Sequence, residues 1–248
     1  MKLSIQSASN VGCVRENNED MILVNHQFIR DGMYLDEIDL ALSHRCLIAL
    51  ADGMGGHNSG EVASSDALHN LDYFYSDMPQ GLGVADFNEA IFEWLGSINN
   101  VLESKGHVDA MYHNMGTTLV AFAYYDGEFF WMNCGDSRVY LLRDGQLQQL
   151  STDHSLSTMM GSNEHSNFIT NCIGGGCKTS YIDVVACTSR VQIGDVFLLC
   201  SDGLTDMVAD ADIEALLNAG AGANALCEAA IGAGGHDNVS VCLIKIVK

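Results

Sequence analysis

The sequence predicts an α+β fold in which antiparallel sheets are covered by helices, and three observations carry that prediction. From Met115 onward short apolar strands follow one another, with Asp126-Gly127 and Asp144-Gly145 as hairpin signals between them. Two stretches with apolar residues at helical spacing precede that series, and two shorter ones come near the end. No internal repeat or low-complexity linker interrupts the 248 residues, so the chain reads as one domain over 1–248.

Taken in order, residues 4–9 read as a strand, Asn10-Val-Gly12 as a turn, and the apolar run 21–24 as a second strand. Residues 26–45 look like an insertion, with a hairpin around Asp31-Gly32 and then an acidic segment, Asp36-Glu-Ile-Asp39. Residues 47–51 are apolar throughout and predict a strand buried on both faces. A helix is expected over 61–74, with Val62, Leu68, Leu71 and Phe74 as its apolar residues. A second, over 86–103, aligns Phe87, Ile91, Trp94, Leu95, Ile98 and Leu102 on one stripe, which assigns Trp94 to the core. Strands follow at 117–125, 128–133, 138–143, 146–150, 181–187 and 195–200. Short helices at 211–217 and 224–231 lead to a closing strand at 239–247.

Composition narrows the function. With a net charge of −21 and an isoelectric point near 4.4, the chain repels nucleic acid and anionic membrane, and it carries no basic patch. A phosphorylated protein would be repelled too, unless bound metal reverses the potential locally. No stretch approaches 18 uninterrupted apolar residues, and the N-terminus lacks the apolar core of a signal peptide, so a cytoplasmic protein is expected. The nine cysteines form no C-x-x-C pair and mostly lie inside apolar runs, which reads as reduced, buried thiols.

One device recurs. The strand at 47–51 runs out into Asp52-Gly53, and the strand at 195–200 runs out into Ser201-Asp202-Gly203. Residues 128–133 lead to Gly135-Asp136 with the order reversed. Two further acidic sites precede strands, Glu19-Asp20 before Met21 and Asp237-Asn238 before Val239. In an antiparallel sheet the end of one strand lies beside the start of its neighbour, so these carboxylates can share one rim. A run of independent Asp-Gly turns is the alternative. Converging carboxylates would repel unless they held a cation, and without histidine or cysteine at zinc-like spacing Mg²⁺ or Mn²⁺ fits best. Arg15, just before Glu19-Asp20, could grip phosphate oxygens or form a structural ion pair. Gly174-Gly-Gly176 lacks the context of a phosphate loop and reads as a turn.

Arg15-x-x-x-Glu19-Asp20, Ala51-Asp-Gly-Met-Gly-Gly56, Gly116-Thr-Thr118, Gly135-Asp-Ser-Arg138, Ser201-Asp-Gly-Leu-Thr-Asp206 and Asp237-Asn238 occur in this order over nearly the whole chain. The set resembles the metal-dependent serine/threonine protein phosphatases (the PPM family, 2C type), in the form of their bacterial branch. That resemblance implies a central sandwich of two antiparallel β-sheets flanked by helices. It implies that Asp52 bridges two metals, with Gly53 adding its carbonyl, while Asp202 and Asp237 bind one of them. Glu19 and Asp20 would serve the second site, largely through water, Asp136 would help hold a third, weaker ion, and Arg15 would bind substrate phosphate. Paired ions would acidify a bridging water for in-line attack on phosphoserine or phosphothreonine. Phosphorylated proteins are then the expected substrates, a serine/threonine kinase the expected counterpart, and a monomer the expected state.

Three departures from the family pattern are visible. Met54 stands where many eukaryotic relatives have a histidine, which leaves the leaving-group proton donor unassigned; His57 reads as a solvated loop residue. The flap after Asp153-His-Ser-Leu156 is cut down to residues 157–166, read as a mobile loop centred on Gly161, and Asn171 replaces a usual arginine. The insertion at 26–45 is the third. A catalytically weak phosphoprotein-binding relative and a phosphatase of small metabolites are the alternatives.

Overall fold

Strands that carry apolar residues on both faces decide the layers of this molecule. The structure, a computed structural model, describes residues 1–55, 59–161, 168–177 and 179–248. Strand β1 (Lys2–Asn10) is followed by β2 (Met21–Val24), β3 (Gln27–Ile29), β4 (Gly32–Asp39), β5 (Arg45–Ala51) and the two-residue β6 (Gly53–Met54). Helices α1 (Ser59–Asp77) and α2 (Val84–Val108) come next, then β7 (Gly116–Thr117), β8 (Leu119–Tyr125), β9 (Glu128–Cys134), β10 (Arg138–Arg143) and β11 (Gln146–Gln149). The short helix α3 (Leu156–Met160), β12 (Ile173–Gly174), β13 (Asp183–Ala186) and β14 (Val196–Cys200) lead to α4 (Asp202–Thr205) and α5 (Asp210–Asn218). Helix α6 (Ala223–Gly232) and β15 (Val239–Val247) close the chain.

Two six-stranded antiparallel sheets, ordered β11-β10-β14-β15-β1-β4 and β13-β9-β8-β5-β2-β3, stack on each other, and a small sheet β12-β7-β6 extends the second beyond the end of β5. In β5, Cys46, Ile48 and Leu50 enter the core between the sheets, where they join Ile5, Phe197, Leu199 and Ile244. Its alternate residues Leu47, Ala49 and Ala51 lie beneath α1 and α2 with Leu68, Leu71, Ile91 and Trp94. Strand β15 divides likewise, Cys242, Ile244 and Ile246 inward and Val239, Val241 and Leu243 under α5 and α6. The result is the expected sandwich, in four layers, α-β-β-α. The helical stripe of α2 is buried as predicted, and Trp94 is core, its indole N–H donating to Asn70 Oδ1 at 2.8 Å. Asp126 and Asp144 take positive φ, 46° and 50°, as two-residue hairpin turns require.

Three local expectations need correction. Residues 31–32 do not close a hairpin: β3 pairs with β2 in one sheet and β4 with β1 in the other, so the chain crosses between sheets there. The acidic segment is part of edge strand β4, whose exposed side accommodates charge. The strand expected at 117–125 is broken at Thr118, because the Thr118 N–H turns to the Asp52 carbonyl at 2.9 Å instead of continuing a ladder. Residues 157–160 are helical, not a loop; Ser155 accepts from Thr158 N–H at the start and Gly161, with φ of 61°, ends the helix. Residues 162–166 and His57 lie outside the described residues.

Phe122 sits between the sheets, with the rings of Phe129 and Phe197 at 5.6 and 4.4 Å. Phe122→Ala should cost about 3–5 kcal/mol of stability through lost burial and the cavity left behind. Urea unfolding measures it; a loss below about 1 kcal/mol would mean that the two sheets close over the gap.

Candidate metal centre

Sheet register brings the acidic strand ends to one edge of the sandwich. Met21 pairs with Ala51, Leu119 with Cys134, Arg138 with Cys200, Cys200 with Val241, and Asn10 with Val239. Asp20, Asp52, Asp136, Asp202 and Asp237 each lie within two residues of one of those paired positions. All five therefore belong to a single rim, together with Glu19 and Gly53.

Neutral groups and main-chain contacts hold that rim. Asp52 is fixed through its backbone: its carbonyl accepts from Thr117 Oγ1 at 2.8 Å and Thr118 N–H at 2.9 Å, and its own N–H donates to Thr118 Oγ1 at 3.1 Å. Thr118 Oγ1 also meets Ser137 Oγ at 2.7 Å, which ties the Asp52 turn to the residue after Asp136. Asn238 Oδ1 accepts from Glu19 N–H at 2.8 Å, while its Nδ2 donates to the carbonyls of Val11 and Asn17, both at 2.9 Å. Ser201 Oγ donates to Asp20 Oδ2 at 2.8 Å. Gly53 is required by close approach, because a Cβ there would collide with the carbonyls of Gly60 and Glu19. Gly203 is held in the same way against the carbonyl of Asn238.

The electrostatics are those of crowded, partly desolvated carboxylates. Burial first, and then Asp20, Asp202, Asp136 and Asp237 as neighbours, push Asp52 well above the usual carboxylate range. Burial and the charge of Asp202 raise Asp136 to about 7. Asp20 and Asp202 are also raised, by burial before neighbouring charge, against the hydrogen bonds that Ser240 and Ser201 give Asp20. Burial raises Glu19 more than nearby Arg15 lowers it. Arg15 Nη2 donates to Asp237 Oδ2 at 2.6 Å, and its guanidinium remains half exposed. The structure therefore contains the ion pair that the sequence left as one option, made with a candidate metal ligand and leaving other N–H groups open.

Asp20, Asp136 and Asp202 each keep one buried Oδ1 with no hydrogen-bond partner among the described residues. A buried carboxylate oxygen without a donor is costly, and a hard divalent cation is the ligand that such oxygens suit. Among the described residues no three carboxylates, imidazoles or thiolates already close into a ready-made cage. The fit to metal rests on the orphaned oxygens and on the mutual repulsion that a cation would relieve.

Sequence reasoning gave no role to several supporting residues, two of which, Asp206 and Arg138, stand inside the recognised motifs. Arg30 donates to the carbonyls of Asn18 at 2.7 Å, Asp20 at 3.1 Å and Glu61 at 2.9 Å, and so joins the Glu19-Asp20 segment to α1. It came from the presumed insertion, where no pattern pointed to it. Asp206 adds its charge to both Asp202 and Asp136, and its position four residues beyond Asp202 was the available signal. Arg138 grips both oxygens of Asp153, with Nη2 to Oδ2 at 2.7 Å, so two of the recognised motifs brace each other.

The chain matches a known family. The protein phosphatase 2C profile matches residues 35–231, and the chain belongs to that family. Two curated bacterial relatives are close along its whole length. Serine/threonine protein phosphatase PstP of Mycobacterium tuberculosis is 32% identical over 255 residues, covering 99% of this chain and 45% of PstP. Protein phosphatase PhpP of Streptococcus pneumoniae is 31% identical over 262 residues, with 98% of both chains covered. This chain thus spans about half of PstP and nearly all of PhpP. The solved catalytic domain of PstP in complex with two manganese ions superposes with a TM-score of 0.76 at 30% identity, over 100% of both chains.

A pH test of the centre needs no catalysis. Carboxyls that titrate at 3.8 when unfolded and near 7 when folded, as Asp136 does, stay protonated in the native chain while the unfolded chain has released those protons. Unfolding then releases protons, so stability falls as pH rises from about 4 to about 7. The melting temperature of the metal-free chain should therefore drop between pH 5 and pH 8, Asp20→Asn should flatten the slope, and saturating Mn²⁺ should restore stability at pH 8. A flat or rising melting temperature in the metal-free chain would refute the crowded-carboxylate account.

Proposed function

We propose that this chain hydrolyses phosphoserine and phosphothreonine in proteins at a centre of two divalent cations. The single observation that carries the reading is the convergence of buried, under-bonded carboxylates on one rim, in a protein phosphatase 2C chain. Asp52 would bridge the two ions with the Gly53 carbonyl beside it, Asp202 and Asp237 would complete one site, and Glu19 and Asp20 would serve the other, largely through water. Asp136, with Asp202, would hold a third and weaker ion. When bound, the cations lower the pKa of water and offset the charge of phosphate. Mn²⁺ and Mg²⁺ both suit an all-oxygen site.

The chain's own groups do the rest. The Thr117-Thr118 clamp holds Asp52 through its main chain, and its carboxyl faces Asp202, to which it is hydrogen-bonded. Arg15, anchored by one nitrogen on Asp237, presents its remaining N–H groups to phosphate oxygens. The proton donor to the leaving alkoxide is not assigned to any described residue. A cytoplasmic monomer opposing a serine/threonine kinase completes the reading. It is consistent with the acidic composition, and no described helix is long and apolar enough to cross a membrane.

Turnover of p-nitrophenyl phosphate and of phosphoserine peptides should require added Mn²⁺ or Mg²⁺ and vanish on chelation. Activity on metabolites alone, with phosphopeptides untouched, would favour the small-molecule alternative. Asp52→Asn should abolish turnover in a protein that still folds, since it removes the charge of the bridging side chain while keeping its shape; near-normal kcat would refute the bridging role.

Arg15→Ala should leave Mn²⁺ binding by calorimetry nearly intact. Losing a charge-assisted contact of about 1.5–3 kcal/mol should lower kcat/KM by roughly 10- to 150-fold. Loss of folding without a specific kinetic effect would make Arg15 a structural residue only.

A further inference from the structure

The sulfurs of Cys172 and Cys177 lie 3.4 Å apart across the Gly174-Gly-Gly176 turn, and hydrolysis uses neither. The turn is built to bring them together. Gly174, Gly175 and Gly176 have φ of 72°, 60° and 77°, and the Cys177 N–H donates to the Gly174 carbonyl at 2.9 Å. A Cβ on Gly175 would run into Cys172 Sγ. Cys172 is buried, Cys177 is half-buried, and Cys177 lines a 390 Å³ cavity together with Asn99, His113 and Asn114.

The dithiol is also coupled mechanically to the candidate metal centre. The turn leaves β12, which pairs with β7, and β7 pairs its Gly116 and Thr117 with Met54 and Gly53. Thr117 is the same residue whose hydroxyl clamps the Asp52 carbonyl at 2.8 Å. A covalent change at the turn therefore acts on a sheet that carries both Gly53 and the clamp on Asp52.

We propose that Cys172 and Cys177 are a peroxide-oxidisable pair whose disulfide tightens the edge of the β12-β7-β6 sheet and lowers the activity of the adjoining centre. The accessible Cys177 sulfur, as thiolate, attacks hydrogen peroxide; the S–O bond forms as the O–O bond breaks, and hydroxide takes up a proton and leaves as water. Cys172 then attacks that sulfenic sulfur, the S–S bond forms, and a second water carries away the oxygen and the Cys172 proton. Two thiols and one peroxide give one disulfide and two waters, with two electrons passing from sulfur to oxygen. Closing to a bonded distance of about 2.05 Å moves the sulfurs together by more than an ångström, which the glycine turn must absorb.

The effect on activity rests on the phosphatase reading, but the bond itself does not. The full chain, free of metal, is treated with a small excess of hydrogen peroxide, quenched with catalase, and divided. One portion is mapped by non-reducing peptide mass spectrometry, and the other is assayed on p-nitrophenyl phosphate after Mn²⁺ is added. The expected results are a Cys172–Cys177 link with loss of two hydrogens, a several-fold fall in kcat/KM, and reversal of both by dithiothreitol. Cys177→Ser should retain basal activity and lose the peroxide response, and Cys172→Ala serves as the second variant if the first folds poorly. Oxidation confined to exposed Cys13, or a link made through buried Cys134, would overturn the assignment. A Cys172–Cys177 bond that leaves an active enzyme unchanged would overturn the coupling. If the chain forms the bond but hydrolyses nothing even when reduced, the site stands as a modification site and the phosphatase reading fails instead.

Discussion

Carboxylates crowded where water is scarce are the constraint on which the rest of this structure depends. Asp52 feels four other aspartates, and Asp20, Asp136 and Asp202 hold buried oxygens that nothing among the described residues satisfies. Folding must bring these groups together against their own repulsion. Apart from Arg15, which pairs with Asp237, the surrounding residues do so without neutralising them. Thr117, Thr118 and Asn238 grip main-chain atoms, and Ser201 takes only one of the two Asp20 oxygens. Even Arg30, a cation close to Asp20, spends its hydrogen bonds on three carbonyls and the Ser64 hydroxyl. Lone pairs are thus left free for a ligand, and the scaffold supplies the rigidity that repulsion would otherwise undo.

The layered fold explains why the charges sit at strand ends. Both sheets are covered on their outer faces by helices and on their inner faces by each other, so a strand such as β5 is buried along its whole length. A charged side chain in the middle of such a strand would have no solvent and no partner. The first position where a carboxylate can emerge is the residue after the strand stops. Antiparallel pairing then sets starts and ends of neighbouring strands side by side, which gathers these residues without any long excursion of the chain. Glycines at 53 and 203 let main chain approach main chain at that crowded edge.

This logic also separates what the sequence revealed from what it hid. Apolar runs ending in Asp-Gly mark two-sided strands and their termini at once, so the layers and the strand-end positions of Asp52 and Asp202 were readable. The roles of Thr118 and Asn238 were not, although both stand in recognised motifs, because their partners are remote; Asn238 holds Glu19 across 219 positions. The crossing at residues 30–32 imitated a hairpin because both situations place Asp-Gly between strand-like segments, and only pairing partners distinguish them. Four-residue α4 and two-residue β6, β7 and β12 are too short for periodicity to register. They are nevertheless the elements that place Asp202, Gly53 and the Asp52 clamp.

Charge at the level of the whole molecule points the same way as charge at the rim. A chain of net charge −21 repels a phosphorylated substrate from every direction. Only eleven residues are basic, and among them Arg15 sits at the rim, half exposed and held to Asp237. On the reading proposed here, the ions that activate water would also reverse the potential at the one place where phosphate must bind, and Arg15 would extend that positive region outward. The acidic rim would then act twice, as a seat for cations and as a gate that admits phosphate only when they are bound. Recognition and chemistry would share a single switch, because both depend on the same unspent carboxylate oxygens.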